Sequence, residues 1–85
     1  MSDEKTEMEM LKKLCDLAAK QVGVDASTVL PESDFFTDLN FDSLDAMEFV
    51  MKVEEEFDVS VSDERAEKVR TPRQAYEMLA AGKTT

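Results

Sequence analysis

Apolar residues at helical spacing in two long segments constrain the fold of this 85-residue chain more than any other feature. Residues 7–22 show the three- and four-residue steps of an amphipathic helix, and Gly23 stands where a C-terminal cap would end it. The apolar positions of this segment are Leu11, Leu14, Cys15, Ala18 and Val22. Residues 43–57 predict a second helix from the same kind of periodicity.

The C-terminal part of the chain carries residues that start and stop helices. Thr71 suits an N-cap, Pro72 suits the first helical position, and Gln74 follows three residues after the cap. Gly82 ends this predicted helix, whose buried stripe is Ala75, Tyr76 and Leu79. A short helical turn is predicted over residues 63–68.

These segments predict an all-α fold. It is a small antiparallel helical bundle of three main helices plus one short helix, with a long loop between the first and second helices. One domain is expected to span residues 1–85, with frayed termini at 1–5 and 82–85. The loop, residues 24–41, lacks periodicity but contains Phe35, Phe36 and Phe41, so we expect its own side chains to pack it down.

Composition excludes several classes of protein. A chain of this size buries roughly 60% of its unfolded surface, which is enough for a small core but not for a deep catalytic cleft. No run approaches the ~20 apolar residues of a membrane span, and the charged first residues do not resemble a signal peptide. The single cysteine, Cys15, excludes an internal disulfide. We therefore expect a cytoplasmic protein without membrane insertion.

Negative charge is concentrated in the middle of the chain. The net charge is −10, from 20 acidic and 10 basic residues. Residues 34–67 hold twelve acidic and two basic residues, a net of −10, while the remaining residues hold eight of each sign. Such a field repels nucleic acid and favours a partner with a basic patch. A solvated face that maintains solubility is the alternative interpretation.

The predicted second helix has apolar residues on two faces. At about 100° per residue, one wide arc has the character of a core face: Ala46, Phe49, Val50, Val53 and Phe57. Leu44, Met47 and Met51 lie on nearly the opposite side, with acidic residues around them. This pattern predicts a docking stripe for another protein, with adaptable apolar contacts inside a charged rim. Coverage by the long loop and ordinary surface apolarity are the alternatives.

The segment DLNFDSLD, residues 38–45, precedes and enters this helix, and a metal site is the first role to test there. Asp38, Asn40 and Asp42 match the opening D-x-N-x-D of an EF-hand calcium loop. That motif then requires glycine and glutamate at positions that Ser43 and Phe49 occupy here. We therefore predict no specific metal site; weak, nonspecific binding of divalent cations to the acidic segment, which would screen its repulsion, is the alternative.

Ser43 has three further candidate roles. The chain has no histidine, and Ser43 is not framed as G-x-S-x-G, so catalysis by a serine nucleophile is not expected. Asp42 and Ser43 are both good N-cap residues. A serine exposed at a helix N-terminus is also a favourable place for a phosphate-linked group installed by another enzyme. The capping role and the carrier role are compatible.

The stretch LNFDSLDAMEFVMKVEEEFDVSVSDERAEKV resembles the acyl carrier protein family almost residue for residue. Asp42-Ser43-Leu44 meets the attachment motif of that family, and the L-D-x-x-E and E-E-x-F-D patterns follow it. The resemblance implies a carrier and not an enzyme. Ser43 would receive 4′-phosphopantetheine from coenzyme A through a phosphopantetheinyl transferase, and the arm would hold acyl groups as thioesters.

The resemblance also implies partners and site residues. The partners are the transferase and acyl-processing synthases with basic patches, in fatty-acid, polyketide or related acyl biosynthesis, and the carrier is expected to be a monomer. Asp42 and Leu44 flank the attachment residue. The implied docking residues are Asp45, Met47, Glu48, Met51, Glu54, Glu55, Asp63 and Glu64. The implied lining of an acyl-chain cavity is Phe49, Val50, Val53, Ala66, Val69 and Tyr76, which an ordinary core would also explain.

The chain departs from the family pattern near the attachment motif. Asn40 and Phe41 stand where a glycine and a smaller apolar residue are usual, and Ser62 replaces a usual proline. Asparagine tolerates the left-handed conformation, so we expect Asn40 to preserve the turn.

The rival function from another class is an unmodified acidic adaptor with the same docking helix and no prosthetic arm.

Overall fold

The structure is a computed structural model that describes the backbone of residues 2–83 and the side chains of residues 6–80. Within these residues it has no strand. It has four α-helices and a single turn of 3₁₀ helix at Ala26–Thr28. The α-helices are α1, Ser2–Val22; α2, Ser43–Phe57; α3, Asp63–Glu67; and α4, Pro72–Lys83. The predicted all-α fold, with three main helices, one short helix and a long loop, is confirmed.

The helix bounds agree with the sequence except at the two termini and at the end of α3, which stops at Glu67, one residue before the predicted end. Helix α1 begins at Ser2, before the predicted start near Glu7. The prediction missed these first residues because they are polar and show no apolar periodicity. Helix α4 runs one residue past Gly82. Met1, Thr84 and Thr85 lie outside the described residues, and the expected fraying of 1–5 and 82–85 stays a prediction.

Capping residues end and begin the helices as the sequence predicts. Gly23 has a φ of 76°, and its N–H donates to the Ala19 carbonyl at 2.8 Å, which closes α1. The Gln74 N–H donates to Thr71 Oγ1 at 3.1 Å at the start of α4. Ser62, in place of the usual proline, caps α3 through its hydroxyl, which accepts the Arg65 N–H.

The core forms where α1 packs against α2 and α4. It takes side chains from every long helix and from the loop: Leu14, Cys15, Ala18, Ala19, Val29, Phe35, Phe41, Phe49, Val53, Val69, Ala75 and Leu79. On the predicted core face of α2, Phe49 and Val53 are buried, and Ala46, Val50 and Phe57 pack partly buried against them. The helical periodicity therefore identified the inner faces correctly.

Aromatic rings attach the long loop to the core. Phe35 stacks on Phe41 with ring centroids 5.0 Å apart and packs against Phe49 at 4.8 Å. Phe41 meets Phe49 edge-on at 5.9 Å. These rings fill the space between the loop and α2, which confirms that the loop is packed down by its own side chains.

Polar contacts fix the same loop to the segment between α3 and α4 and to the start of α4. The Phe35 N–H donates to the Arg70 carbonyl at 2.7 Å, and the Arg70 guanidinium reaches both carboxylate oxygens of Asp34, at 3.0 and 3.3 Å. The Arg73 N–H donates to the Pro31 carbonyl at 3.0 Å. The loop is thereby held on one side by aromatic packing and on the other by hydrogen bonds.

Candidate functional site

The first turn of α2 is closed by a capping box that Ser43 does not enter. Asp42 is the N-cap, and its Oδ1 accepts the Asp45 N–H at 2.8 Å. Asp45 Oδ2 in turn accepts the Asp42 N–H at 3.2 Å. Of the two N-cap candidates in the sequence, the structure uses Asp42. Ser43 is the first residue of the helix, and it is exposed.

The turn before Asp42 brings the chain into the helix without blocking Ser43. Asn40 adopts a φ of 60°, the left-handed conformation that the sequence predicts for this position. Phe41, although bulky, points into the core, where it is 5% exposed and stacked on Phe35. The two departures from the family pattern therefore leave the surface around Ser43 open.

A groove of about 700 Å³ opens beside Ser43, between α2 and α3. It is lined by Phe36, Asp42, Ser43, Ala46, Met47, Val50, Met51, Glu54, Val61, Asp63, Ala66 and Glu67. Most of its wall is apolar, and acidic side chains stand at its edges. A flexible group attached to the Ser43 hydroxyl would have apolar surface within immediate reach.

The predicted second apolar face of α2 is exposed. Leu44, Met47 and Met51 are 61%, 63% and 57% accessible to solvent. The long loop packs against the core and does not cover them, so the alternative of coverage by the loop is wrong. Three large exposed apolar side chains along one helix face are the kind of surface that marks an interaction site.

The acidic residues of the predicted docking set differ in how they are held. Glu48 and Asp45 accept hydrogen bonds from Gln21 Nε2 of α1 at 2.7 and 3.2 Å. Glu54 accepts the Val61 N–H at 2.8 Å and thereby ties α2 to the segment before α3. The remaining members, Glu55, Asp63 and Glu64, are exposed. Some carboxylates of the predicted docking set therefore also hold helices together through hydrogen bonds.

The residues predicted to line an acyl-chain cavity divide between two environments. Val50 and Ala66 line the groove beside Ser43. Phe49, Val53 and Val69 are buried in the core, and Tyr76 packs partly buried against it. None of these last four is among the groove-lining residues.

Several groove residues were not singled out from the sequence. Ala46 was assigned only to the core face of α2, and Phe36 and Val61 lie in segments without periodicity. Helical spacing identifies residues on one helix face, but it does not show which loop side chains meet that face. The sequence shows Phe36 only as one of three phenylalanines in the loop, and nothing in it distinguishes Phe36 as a groove residue.

The EF-hand-like carboxylates have other partners. Asp38 Oδ2 accepts the Asp34 N–H at 2.8 Å, and Asp42 forms the capping box. Among the side chains that the structure describes, no three of the His, Cys, Asp or Glu type are grouped so that they could hold a metal ion. Over the described range, none of the helices combines the length and the apolar character needed to cross a membrane.

Cys15 belongs to the core and not to this site. The thiol lies in the buried face of α1. Burial raises its pKa above the ordinary value, and the negative charges of Asp16 and Glu32 raise it further. A buried thiol with a raised pKa is a poor nucleophile at neutral pH.

The chain matches a family model and several known proteins over most of its length. The family described as "Phosphopantetheine attachment site" matches residues 12–79. An acyl carrier protein of Syntrophobacter fumaroxidans is 45% identical over 74 residues, which are 87% of this chain and 91% of that protein. One from Picosynechococcus is 44% identical over 72 residues, which are 85% of this chain and 89% of that protein.

A solved structure of the acyl carrier protein from Enterococcus faecalis superimposes on this chain with a TM-score of 0.73 at 33% identity. The match covers 89% of this chain and 96% of that one. Sequence and fold agree with the predicted resemblance. The chain belongs to the acyl carrier protein family, whose members are not enzymes but carry acyl groups on covalently attached 4′-phosphopantetheine.

Proposed function

We propose that Ser43 is the attachment residue for 4′-phosphopantetheine and that the groove beside it shelters the acyl group. The observation that supports this most is the position of Ser43. It is the exposed first residue of α2 and borders the groove, while the adjacent Asp42 performs the capping. The hydroxyl of Ser43 is therefore not needed to start the helix.

The first turn of α2 suits a phosphodiester on Ser43. N–H groups at a helix N-terminus point outward, and the helix dipole favours negative charge there. The Asp42 carboxylate accepts one of these N–H groups, that of Asp45. Asp42 and Asp45 both carry negative charge, and neither is buried. When bound, the arm supplies a thiol that holds acyl groups as thioesters. The chain's own residues supply the attachment oxygen and the surface along which the arm lies.

The groove offers apolar contact to an acyl chain that leaves the end of the arm. Val50 on α2 and Ala66 on α3 both line it, and Val61, from the segment between these helices, adds to its apolar wall. The core behind the groove is filled by the rings of Phe35, Phe41 and Phe49. We therefore assign the role of shelter to the groove and a packing role to Phe49, Val53 and Val69.

Docking of partner enzymes is proposed on the exposed face of α2 and the start of α3. Leu44, Met47 and Met51 provide adaptable apolar contact. The acidic rim that surrounds them is Asp45, Glu48, Glu54, Glu55, Asp63 and Glu64. Phosphopantetheinyl transferase and acyl-processing synthases with basic patches fit this surface by charge, because steering by opposite charges raises association rates.

The charge distribution also bears on the state of the protein. A net charge of −10 opposes self-association and contact with nucleic acid, which supports a monomer that meets its enzymes one at a time. The single buried cysteine offers no disulfide, which supports action in the cytoplasm.

The experiment that tests the attachment residue is an intact-mass measurement after incubation with a broad-specificity phosphopantetheinyl transferase and coenzyme A. Wild type is expected to gain one phosphopantetheine group, and Ser43→Ala to gain none. Ser60→Ala is the control, because Ser60 is also an exposed serine but lies outside the helices and is not among the groove-lining residues, and this variant should load like wild type. A folded wild-type protein that gains no mass would favour the unmodified acidic adaptor.

A further inference from the structure

One aromatic side chain, that of Phe36, lines the groove. Among the described lining residues, Phe36 is the single aromatic one, and it comes from the long loop and not from α2 or α3. The others are aliphatic, methionine, serine or acidic side chains. Phe36 therefore adds an aromatic side chain from the long loop to a groove lined otherwise by α2, α3 and the residues next to them.

The ring of Phe36 is held from two directions. The Arg70 guanidinium lies over it, with its central carbon 5.0 Å from the ring centroid, a distance at which cation–π attraction operates. The ring of Phe41 meets it edge-on at 6.4 Å and 78°. Since Phe41 is itself buried in the core, the Phe36 ring contacts a fixed aromatic neighbour as well as a cation.

Arg70 is in turn fixed by Asp34. Arg70 Nε and Nη2 donate to the two carboxylate oxygens of Asp34, at 3.0 and 3.3 Å. The same carboxylate accepts the Phe36 N–H at 2.8 Å, so it orients the backbone of Phe36 and the cation above its ring together. A planar, bidentate contact of this kind depends on arginine and is not reproduced by lysine.

On the basis of the proposed function, we infer that Phe36 determines which acyl chains the groove accepts and that Arg70 and Asp34 position it. A ring held in this way acts as a fixed wall and not as a side chain that moves aside. Acyl chains that fit alongside Phe36 gain apolar contact with Val50 and Ala66. Methylene groups of a longer acyl chain that extend past Phe36 gain no such contact and remain in water.

The test measures the melting temperature of the protein loaded with acyl groups of increasing length, installed by the transferase from the corresponding acyl-coenzyme A thioesters. An acyl chain that is buried only in the folded state stabilises it. The melting temperature of wild type should therefore rise with chain length and then reach a plateau, at the length where further carbons pass the Phe36 wall.

Substitutions at Phe36 should move this plateau in opposite directions. Phe36→Ala should shift it to longer chains, and Phe36→Trp should shift it to shorter ones. A residue that only stabilised the fold would lower all melting temperatures without moving the plateau. Phe57→Ala is the matched control, because Phe57 is also a partly buried phenylalanine packed on the core and is not among the groove-lining residues.

Arg70→Met tests the positioning role, and it tests the wall independently if Phe36→Ala does not fold. It should shift the plateau to longer chains, because the ring loses the cation that holds it, and Arg70→Lys should not restore the wild-type plateau. An unchanged plateau in the Phe36 and Arg70 variants would overturn the inference. Two readouts separate this result from failure of the proposed function: wild type would then gain no acyl arm by intact mass or, once loaded, would have a melting temperature that does not depend on acyl length.

Discussion

Asp42 and Asp45 exchange two hydrogen bonds across the first turn of α2, and Ser43 stands between them without taking part. Each carboxylate accepts the backbone N–H of the other residue, at 2.8 and 3.2 Å. The start of the helix and the proposed attachment of the arm therefore depend on adjacent but different residues. This separation explains how a residue at a helix terminus can remain available to a modifying enzyme.

Substitutions at Asp42 and Ser43 should separate the two roles. Asp42→Ala should lower the free energy of unfolding by about 1 kcal/mol, because it removes the N-cap side chain. Ser43→Ala should change it by less than about 0.5 kcal/mol, because it alters an exposed residue outside the cap. Urea denaturation followed by circular dichroism measures both. Equal losses in the two variants would contradict the assignment of the cap to Asp42.

Stability at acidic pH should reflect the anchoring of the long loop by Asp34. The Thr37 N–H, followed by the guanidinium of Arg70 and the Phe36 N–H, holds the pKa of Asp34 below its ordinary value of 3.8. A lowered folded-state pKa stabilises the protein above the unfolded value, and this contribution is lost as the pH falls through the folded value. Protonated Asp34 then resembles asparagine.

The corresponding measurement compares wild type with Asp34→Asn from about pH 6 to about pH 3, a range that includes the ordinary pKa of 3.8, below which the contribution of Asp34 begins to be lost. Wild type should be the more stable protein at the upper end, and the difference should shrink toward the lower end. Glu77→Gln controls for the loss of one charge, because it removes a carboxylate from an exposed position on α4. A difference that stays constant over this range would show that the charge of Asp34 does not anchor the loop.

Charge reversal on α2 should slow the encounter with the transferase. Glu48→Lys places a cation in the acidic rim, so the loading rate at low salt should fall by roughly 3- to 10-fold, and its dependence on salt should weaken. Glu77→Lys makes the same change on α4 and should have a smaller effect. Because Glu48 accepts a hydrogen bond from Gln21, circular dichroism should accompany the rates. Equal rates for Glu48→Lys and wild type at low salt would remove Glu48 from the docking surface.

Salt should stabilise the fold. The net charge of −10 lies within residues 34–67, and few cations there offset it. Raising the ionic strength from about 0.01 to 0.1 M shortens the screening length from about 30 to 10 Å, which weakens this repulsion. The melting temperature of the unmodified protein should therefore rise over that range. A melting temperature that is independent of salt would show that local ion pairs already compensate the charge.

The sequence predicts the helices well because their signals are local. The apolar periodicity of α2, the Thr71 cap and Gly23 each act within a few residues, and the structure agrees with all three. The left-handed turn at Asn40 is another local preference that the fold keeps. The start of α1 was missed because its first turns have no apolar stripe to predict it.

The groove could be predicted only in part because its walls come from distant segments. Val50 lies on a helix face that periodicity identifies, but Phe36 reaches the groove through contacts with Arg70, 34 residues further along the chain. Neither residue carries a local signal for the other. Family resemblance also pointed to Phe49, Val53 and Val69, which are buried in the core of this chain. The loop that brings Phe35 and Phe41 against Phe49 has no periodicity from which to predict this packing.

The most direct test of the account is to locate the phosphopantetheine group within the loaded protein. Cleavage after lysine and arginine releases residues 21–52 as one peptide, which contains Ser27, Ser33 and Ser43. Fragmentation of this peptide in a mass spectrometer assigns the added mass to one of them. We predict the entire modification on Ser43, with Ser27 and Ser33 unmodified. Modification of either of those serines, or of any residue outside this peptide, would contradict the assignment of Ser43 as the attachment site.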